Sequence, residues 1–177
     1  CNNFNQIEVI CKSSSKSSGI QKGKIIDESA LADSIAEAVS TIEKENNISI
    51  NSAYITIPGK YVTIVQNSIT KEAKDKYSGI SSKDVASAIS QAKEVEIPED
   101  KQFIDILAEN FVLDDGRITD DPIGAFSASF TLNAQVLLAD REFIKSIESV
   151  FRRIDVKIDG MVPSTLADKS IALDETD

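Results

Sequence analysis

No histidine occurs anywhere in this chain. That absence removes Ser-His-Asp triads, Cys-His dyads and imidazole metal sites together. Cysteine is nearly as scarce: Cys1 and Cys11 are the only two, and they lack the Cys-x-x-Cys spacing of redox and zinc motifs. So sparse a pair does not make a secreted disulfide scaffold, and it reads as reduced thiols in a cytosolic protein. No stretch approaches the roughly 20 apolar residues that span a bilayer, so no transmembrane segment and no direct membrane insertion are expected. Basic residues are outnumbered, 19 Lys and Arg against 29 Asp and Glu. The resulting formal charge of -10 argues against nucleic acid, whose phosphates need clustered cations, and against adhesion to an anionic membrane surface. What is present is 177 residues, 41% of them hydrophobic, enough for one core or for one core plus a smaller lobe. The chain opens on Cys1 without Met, which reads as a boundary inside a longer protein. The mature end of a lipoprotein is the alternative, set against Asn2-Asn3-Phe4, which gives no long tether before the apolar pattern begins at Ile7.

Periodicity gives the elements. Ile7, Val9 and Cys11 alternate with Glu8, Ile10 and Lys12 and predict a short strand with one better-buried face, and the serine-rich run from Ser13 to Ser18, closed by Gly19, predicts a loop. That loop lacks the Gly-x-x-x-x-Gly-Lys-Ser/Thr order of a phosphate cradle. Asp27 stands where an N-cap belongs, and Leu31, Ile35, Val39 and Ile42 recur at helical spacing up to Asn46-Asn47. Ser52 to Pro58 and Tyr61 to Gln66 read as strands, and Thr70 to Gly79 as a loop. Ser81 with Asp84 three residues on opens a helix that runs to Lys93. Gln102 to Leu113 predicts one strand, or two broken near Glu109-Asn110, with a tight turn at Asp115-Gly116. From Ser129 to Leu138 the alternation is the clearest in the chain. Phe130, Leu132, Ala134 and Val136 point one way, and Thr131, Asn133 and Gln135 the other. Asp140 is the expected cap of a helix striped by Phe143, Ile144, Ile147, Val150, Phe151 and Ile154. A last strand follows over Val156, Ile158 and Val162, then a short helix capped by Ser164 through Leu166 and Ile171. The order predicts a mixed α and β class in two lobes.

Chemistry has little to stand on. The acidic residues Asp114, Asp115, Asp120 and Asp121 miss the Asp-x-Asp-x-Asp-Gly spacing of a calcium loop, and no downstream Glu closes a cage, so no metal ligands are assigned. No residue is assigned to catalysis or to cofactor binding. The candidate surface is one of association: those four carboxylates beside the outward Thr131, Asn133 and Gln135, suited to a basic partner. An acidic metal-dependent enzyme is the alternative of a different class.

Three regions carry a resemblance, the third of them in three pieces. Ser18-Gly19-Ile20-Gln21-Lys22-Gly23-Lys24-Ile25-Ile26-Asp27 is followed by Ala53-Tyr54-Ile55-Thr56-Ile57-Pro58-Gly59-Lys60. Then come Ile80-Ser81-Ser82-Lys83-Asp84-Val85, Val112-Leu113-Asp114-Asp115-Gly116 and Asp121-Pro122-Ile123-Gly124. In this order and spacing they resemble the FtsA family of actin-like bacterial cell-division proteins. The departures are Pro58 where the family has Ser, Asp105 to Phe111 where it has a His-x-Ile-Pro-x-x-Tyr stretch, and Asp155 where it has Gly. A related actin-like protein of the pilus-assembly type is the alternative within the same fold.

The resemblance implies an actin-like, ribonuclease H-like lobe, called 1A, over residues 1–58 and 154–177, interrupted by an SHS2-type subdomain, called 1C, over 59–153. It implies a full-length protein that binds ATP and magnesium, holds FtsZ at the inner face of the cell membrane and recruits later division proteins, partly through the insert. Self-association is implied as well. For this chain it implies no bound cofactor and no enzymatic activity, since the family's phosphate loops match no segment of it.

Overall fold

The computed structural model describes residues 9–73 and 79–165. In chain order its elements are β1 (Ile20–Gln21), β2 (Lys24–Ile25), α1 (Glu28–Asn46), β3 (Ser52–Ile57), a 3-10 turn (Gly59–Tyr61), β4 (Val62–Glu72), α2 (Ser82–Ala92), β5 (Lys101–Leu113), β6 (Ile118–Thr119), β7 (Ser129–Asp140), α3 (Arg141–Arg153) and β8 (Lys157–Pro163). They divide into two compact units. The first takes the described residues up to Ile55 together with Glu142–Val162, and the second takes Thr56–Arg141 with the described residues from Pro163 on. The mixed α and β class expected from the sequence is what forms.

In the first unit α1 begins because Asp27, in extended backbone, accepts the amides of Ser29 and Ala30 at 2.9 and 3.0 Å. It ends where Asn47 turns into the left-handed region at φ 52° and returns its amide to Glu43, a position Asn tolerates better than most residues. Leu31 and Ala32 bury against Val150 and Phe151 from α3 and Val156 just before β8. Each large side chain removed from water in this way is worth about 1.5–3 kcal/mol. The β1–β2 hairpin closes on Gly19, whose carbonyl accepts the amides of both Ile26 and Asp27. Its φ of +72° and a would-be Cβ only 2.1 Å from the Asp27 carbonyl oxygen leave glycine as the residue that fits.

Two expectations change here. The strand predicted over Ile7, Val9 and Cys11 is not assigned in its described part, because a strand needs a neighbour to pair with. Instead the serine run lies along α1: the Ser13 and Ser15 hydroxyls donate to the carbonyls of Ala38 and Ser34 at 2.7 and 2.6 Å. The apolar stripe of α3 was expected to belong to the insert, up to Arg153. Val150 and Phe151 bury with Leu31 instead, and the residues from Glu142 to Val162 group with the first unit. The helix predicted through Leu166 and Ile171 lies outside the described residues.

The second unit is a four-stranded antiparallel sheet in the order β4-β7-β5-β6 with α2 on one face. Strand β7 is central. Phe130, Leu132 and Ala134 sit against Ile80, Ala88 and Ala92 of the α2 side and Phe111 and Leu113 of β5. The helix starts at a complete capping box: Ser81 takes the Asp84 amide, and the Asp84 carboxylate takes the Ser81 amide at 3.0 Å. Gln102 to Leu113 forms one strand, not two. Its register with β7 slips between Ala108 and Asn110, where a break was expected, and between Phe103 and Asp105.

The end of α3 gives a test. Asp155 stands at φ +57°, and the amide of Val156 bonds back to the Phe151 carbonyl and that of Asp155 to the Arg152 carbonyl, the Schellman pattern that favours glycine at this position. A left-handed residue with a Cβ costs of order 1–2 kcal/mol, least for Asn and Asp. Asp155→Gly should therefore stabilise the chain by about 1 kcal/mol at most, read as a higher urea midpoint with an unchanged slope. A lower midpoint would mean that the Asp side chain contributes more than its backbone strain costs.

Candidate interaction surface

Thr131, Asn133 and Gln135 lie on the sheet face opposite α2, as the alternation requires, but they are half-buried rather than free. Register explains it. Thr131 stands between Thr70 and Val112, and Asn133 between Ser68 and Asn110. The Thr70 and Thr131 hydroxyls bond at 2.9 Å. Ser68 donates to Asn133, which donates in turn to Asn110, both at 2.8 Å. Gln135 donates to Glu109. The three residues are rungs of a polar ladder that ties β4, β7 and β5 together, each pair worth some tenths of a kcal/mol.

The four carboxylates sit at the end of the same sheet. Leu113 pairs with Phe130, so the chain leaving β5 and the chain entering β7 run side by side, and Asp114 clamps them. Its Oδ2 accepts the Ala128 amide at 2.7 Å, while its own amide donates to the Ser127 hydroxyl, which donates to the Ser129 carbonyl. Ser127 is buried for this purpose. Asp115 closes the turn through Gly116, at φ +84°: it accepts the Arg117 amide at 3.0 Å and pairs with the Arg117 guanidinium at 2.6 Å. Asp121 accepts the amide of Ile123 at 3.0 Å. Asp120 is exposed. The acids are therefore loop-shaping groups as well as charges, and three of the four cannot be reversed without loosening the turn.

The electrostatics follow from those bonds. The Ala128 amide, then the Ser127 hydroxyl, holds the Asp114 carboxyl below the ordinary carboxylate range. The Arg117 amide, then its side chain, does the same for Asp115. Among the described residues no group of three or more His, Cys, Asp or Glu side chains converges as a metal site, and no helix is long and apolar enough to cross a membrane.

The periodicity did not mark three further residues of this loop region. Ile118, Ile123 and Phe126 are 69%, 53% and 72% exposed, apolar side chains placed among Asp114, Asp115, Asp120 and Asp121. Large apolar side chains outside any helical or strand period, beside turn residues, are the signal that singles them out.

One comparison with known proteins falls on this same unit. The family model described as the SHS2 domain inserted in FtsA matches residues 59–138, from the turn before β4 to the last residues of β7. Over these residues the chain is similar to an SHS2 domain of the FtsA-inserted type. Along its length the chain is also similar to the cell division protein FtsA of Streptococcus pneumoniae serotype 2, 25% identical over 96% of this chain and 37% of that protein. It is similar to FtsA of Pseudomonas aeruginosa at 22% identity, over 96% and 40% of the two chains, and to FtsA of Escherichia coli K12 at 20%, again over 96% and 40%. The chain thus spans about two fifths of the length of these FtsA relatives. Among solved structures it resembles a chain of a PilM-PilN type IV pilus biogenesis complex, with a TM-score of 0.47 and 12% identity over 82% of this chain and 37% of that one, a likeness too slight to favour the pilus-type alternative. The FtsA-type SHS2 match covers β4, α2, β5 and nearly all of β7, so the polar ladder and the acidic loop lie within the matched residues.

The acid clamp gives a pH prediction. A carboxyl whose folded pKa is depressed contributes stability that is fully present above its unfolded value, about 3.9 for Asp, and lost as pH falls through the folded value. Asp114→Asn should be less stable than the parent chain at neutral pH, and the gap should close as pH drops below that unfolded value. Urea unfolding of both chains at neutral pH and at about pH 3 checks it. A gap independent of pH would show that the charge on Asp114 plays no part.

Proposed function

We propose that this chain is part of a cell-division protein of the FtsA kind and that its SHS2 unit acts by binding other proteins. The observation that supports the reading is the exposed loop region after β5. There, apolar Ile118, Ile123 and Phe126 stand among four carboxylates, on a domain of the type inserted in FtsA. A rim of one charge around a small apolar patch suits a cationic segment with one or two apolar anchors. Complementary charge would raise the association rate and be screened by salt, and the apolar contacts would slow release.

On this reading the full-length protein holds FtsZ at the inner face of the membrane and recruits later division proteins, some of them through this loop. ATP and magnesium belong to the full-length actin-like fold. In this chain no residue is assigned to nucleotide or catalysis, and it works as an assembly module.

Variants that spare the clamp test the reading. Phe126→Ser and Asp120→Lys should leave the melting temperature near the parent's, since both positions are exposed and neither holds the turn. Each should weaken binding to the cytoplasmic segment of a later division protein, by several-fold singly and by about tenfold together. Fluorescence anisotropy with that segment, labelled, at low and moderate salt measures this. Unchanged affinity of the double variant at low salt would move the contact off this loop.

A further inference from the structure

We propose that the Asp115–Gly116 bond is a site of spontaneous isoaspartate formation and that the Arg117 guanidinium restrains it. The reaction is intramolecular and needs only water. The Gly116 amide nitrogen attacks the carboxyl carbon of the Asp115 side chain, the nitrogen gives up its proton, a carboxyl oxygen departs as water, and a succinimide ring closes. Water then opens the ring at either carbonyl. One opening returns aspartate, and the other leaves isoaspartate, with the main chain routed through the former side chain. A following glycine favours closure, because it has no Cβ to crowd the attacking nitrogen.

Two glycines of this chain follow an aspartate, Gly116 and Gly160, and none follows an asparagine. Their surroundings separate them. Asp115 and Gly116 are exposed in the turn between β5 and β6. Among the described residues, no atom outside its chain neighbours lies within 4 Å of where a Cβ on Gly116 would stand. The Asp115 side chain accepts the Arg117 amide at 3.0 Å, a bond that brackets the Gly116 nitrogen and keeps the carboxyl carbon beside it. Asp159 and Gly160 lie instead within β8, which pairs with β3. There the Tyr54 ring covers Gly160, with its Cε1 2.6 Å from the Cβ position, and Lys157 holds the Asp159 carboxylate at 3.0 Å. Extended backbone held in this way keeps the carboxyl carbon off the next nitrogen.

Two contacts slow the reaction in the turn. The Gly116 amide donates to the Leu113 carbonyl at 3.0 Å, and the Arg117 Nε donates to the second Asp115 oxygen at 2.6 Å. The Arg117 amide, then its side chain, holds the Asp115 carboxyl below the ordinary range, so the group stays ionised and is the poorer electrophile. Removing the guanidinium frees the carboxyl while keeping the amide bond that positions it. The product would lengthen the main chain inside the turn that sets Ile118 opposite Val112.

Incubation of the folded chain at neutral pH and physiological temperature tests this. Peptide mapping with electron-based fragmentation, which distinguishes isoaspartate from aspartate, follows both positions. Isoaspartate should accumulate at position 115 several-fold faster than at position 159. Arg117→Ala, with a melting temperature near the parent's, should speed conversion at 115 several-fold and leave 159 unchanged. Asp115→Glu, which would have to close a larger and slower ring, should abolish the signal at 115. In urea the two positions of the parent should convert at similar rates. No conversion at 115, equal rates at both positions in the folded chain, an unchanged rate in Arg117→Ala, or a difference that persists in urea would each overturn the proposal.

Discussion

Strand β7 has a neighbour on each edge and a helix on one face, so every other part of the second unit is placed relative to it. Its pleat sends Phe130, Leu132 and Ala134 into the α2 core and Thr131, Asn133 and Gln135 to the opposite face. A shift of one residue would exchange the two sets, exposing the core and burying amides and hydroxyls without partners. Both outcomes cost several kcal/mol. The register is therefore held from two sides, by the apolar contacts below and by the ladder of Ser68, Asn133 and Asn110 above.

That constraint also places the loop on which the functional proposal rests. With Leu113 opposite Phe130, the ends of β5 and β7 are adjacent. Asp114 and Ser127 bond across the gap and hold the loop's two ends together. The segment between them is then free to present Ile118, Ile123 and Phe126 to solvent at little cost to the fold. Loops built this way, short-range in structure and apolar at the tip, are where a rigid scaffold carries recognition.

What the sequence made legible was local. Asp27 and Ser81 as caps, the 3.6-residue stripes of α1 and α3, and the alternation of β7 each depend on neighbours within a few positions, and each formed where expected. What stayed hidden was set at long range. The rungs joining Ser68 to Asn133 and Thr70 to Thr131 link residues more than 60 positions apart, so Thr131, Asn133 and Gln135 read as solvent-facing when they are half-buried cross-strand partners. α3 carries an apolar stripe that says it packs but not on what, and it packs on Leu31 in the first unit. Val9 and Cys11 sit at alternate positions like those of a strand, yet Val9 is 78% exposed, as is Ile10 at 80%, and no strand forms over them.

Amide hydrogen exchange of the 177-residue chain, at a concentration where it is monomeric, tests the central place of β7 most directly. Exchange of the most protected amides reports opening of the whole cooperative unit, while an unpaired edge exchanges through local fluctuation. The amides of Phe130 through Ala139 should be the slowest in the second unit, with every second amide of β4 exchanging much faster along its open edge. Protection of β7 no greater than that of the outer edge of β4 would contradict the sheet order on which the ladder and the loop depend.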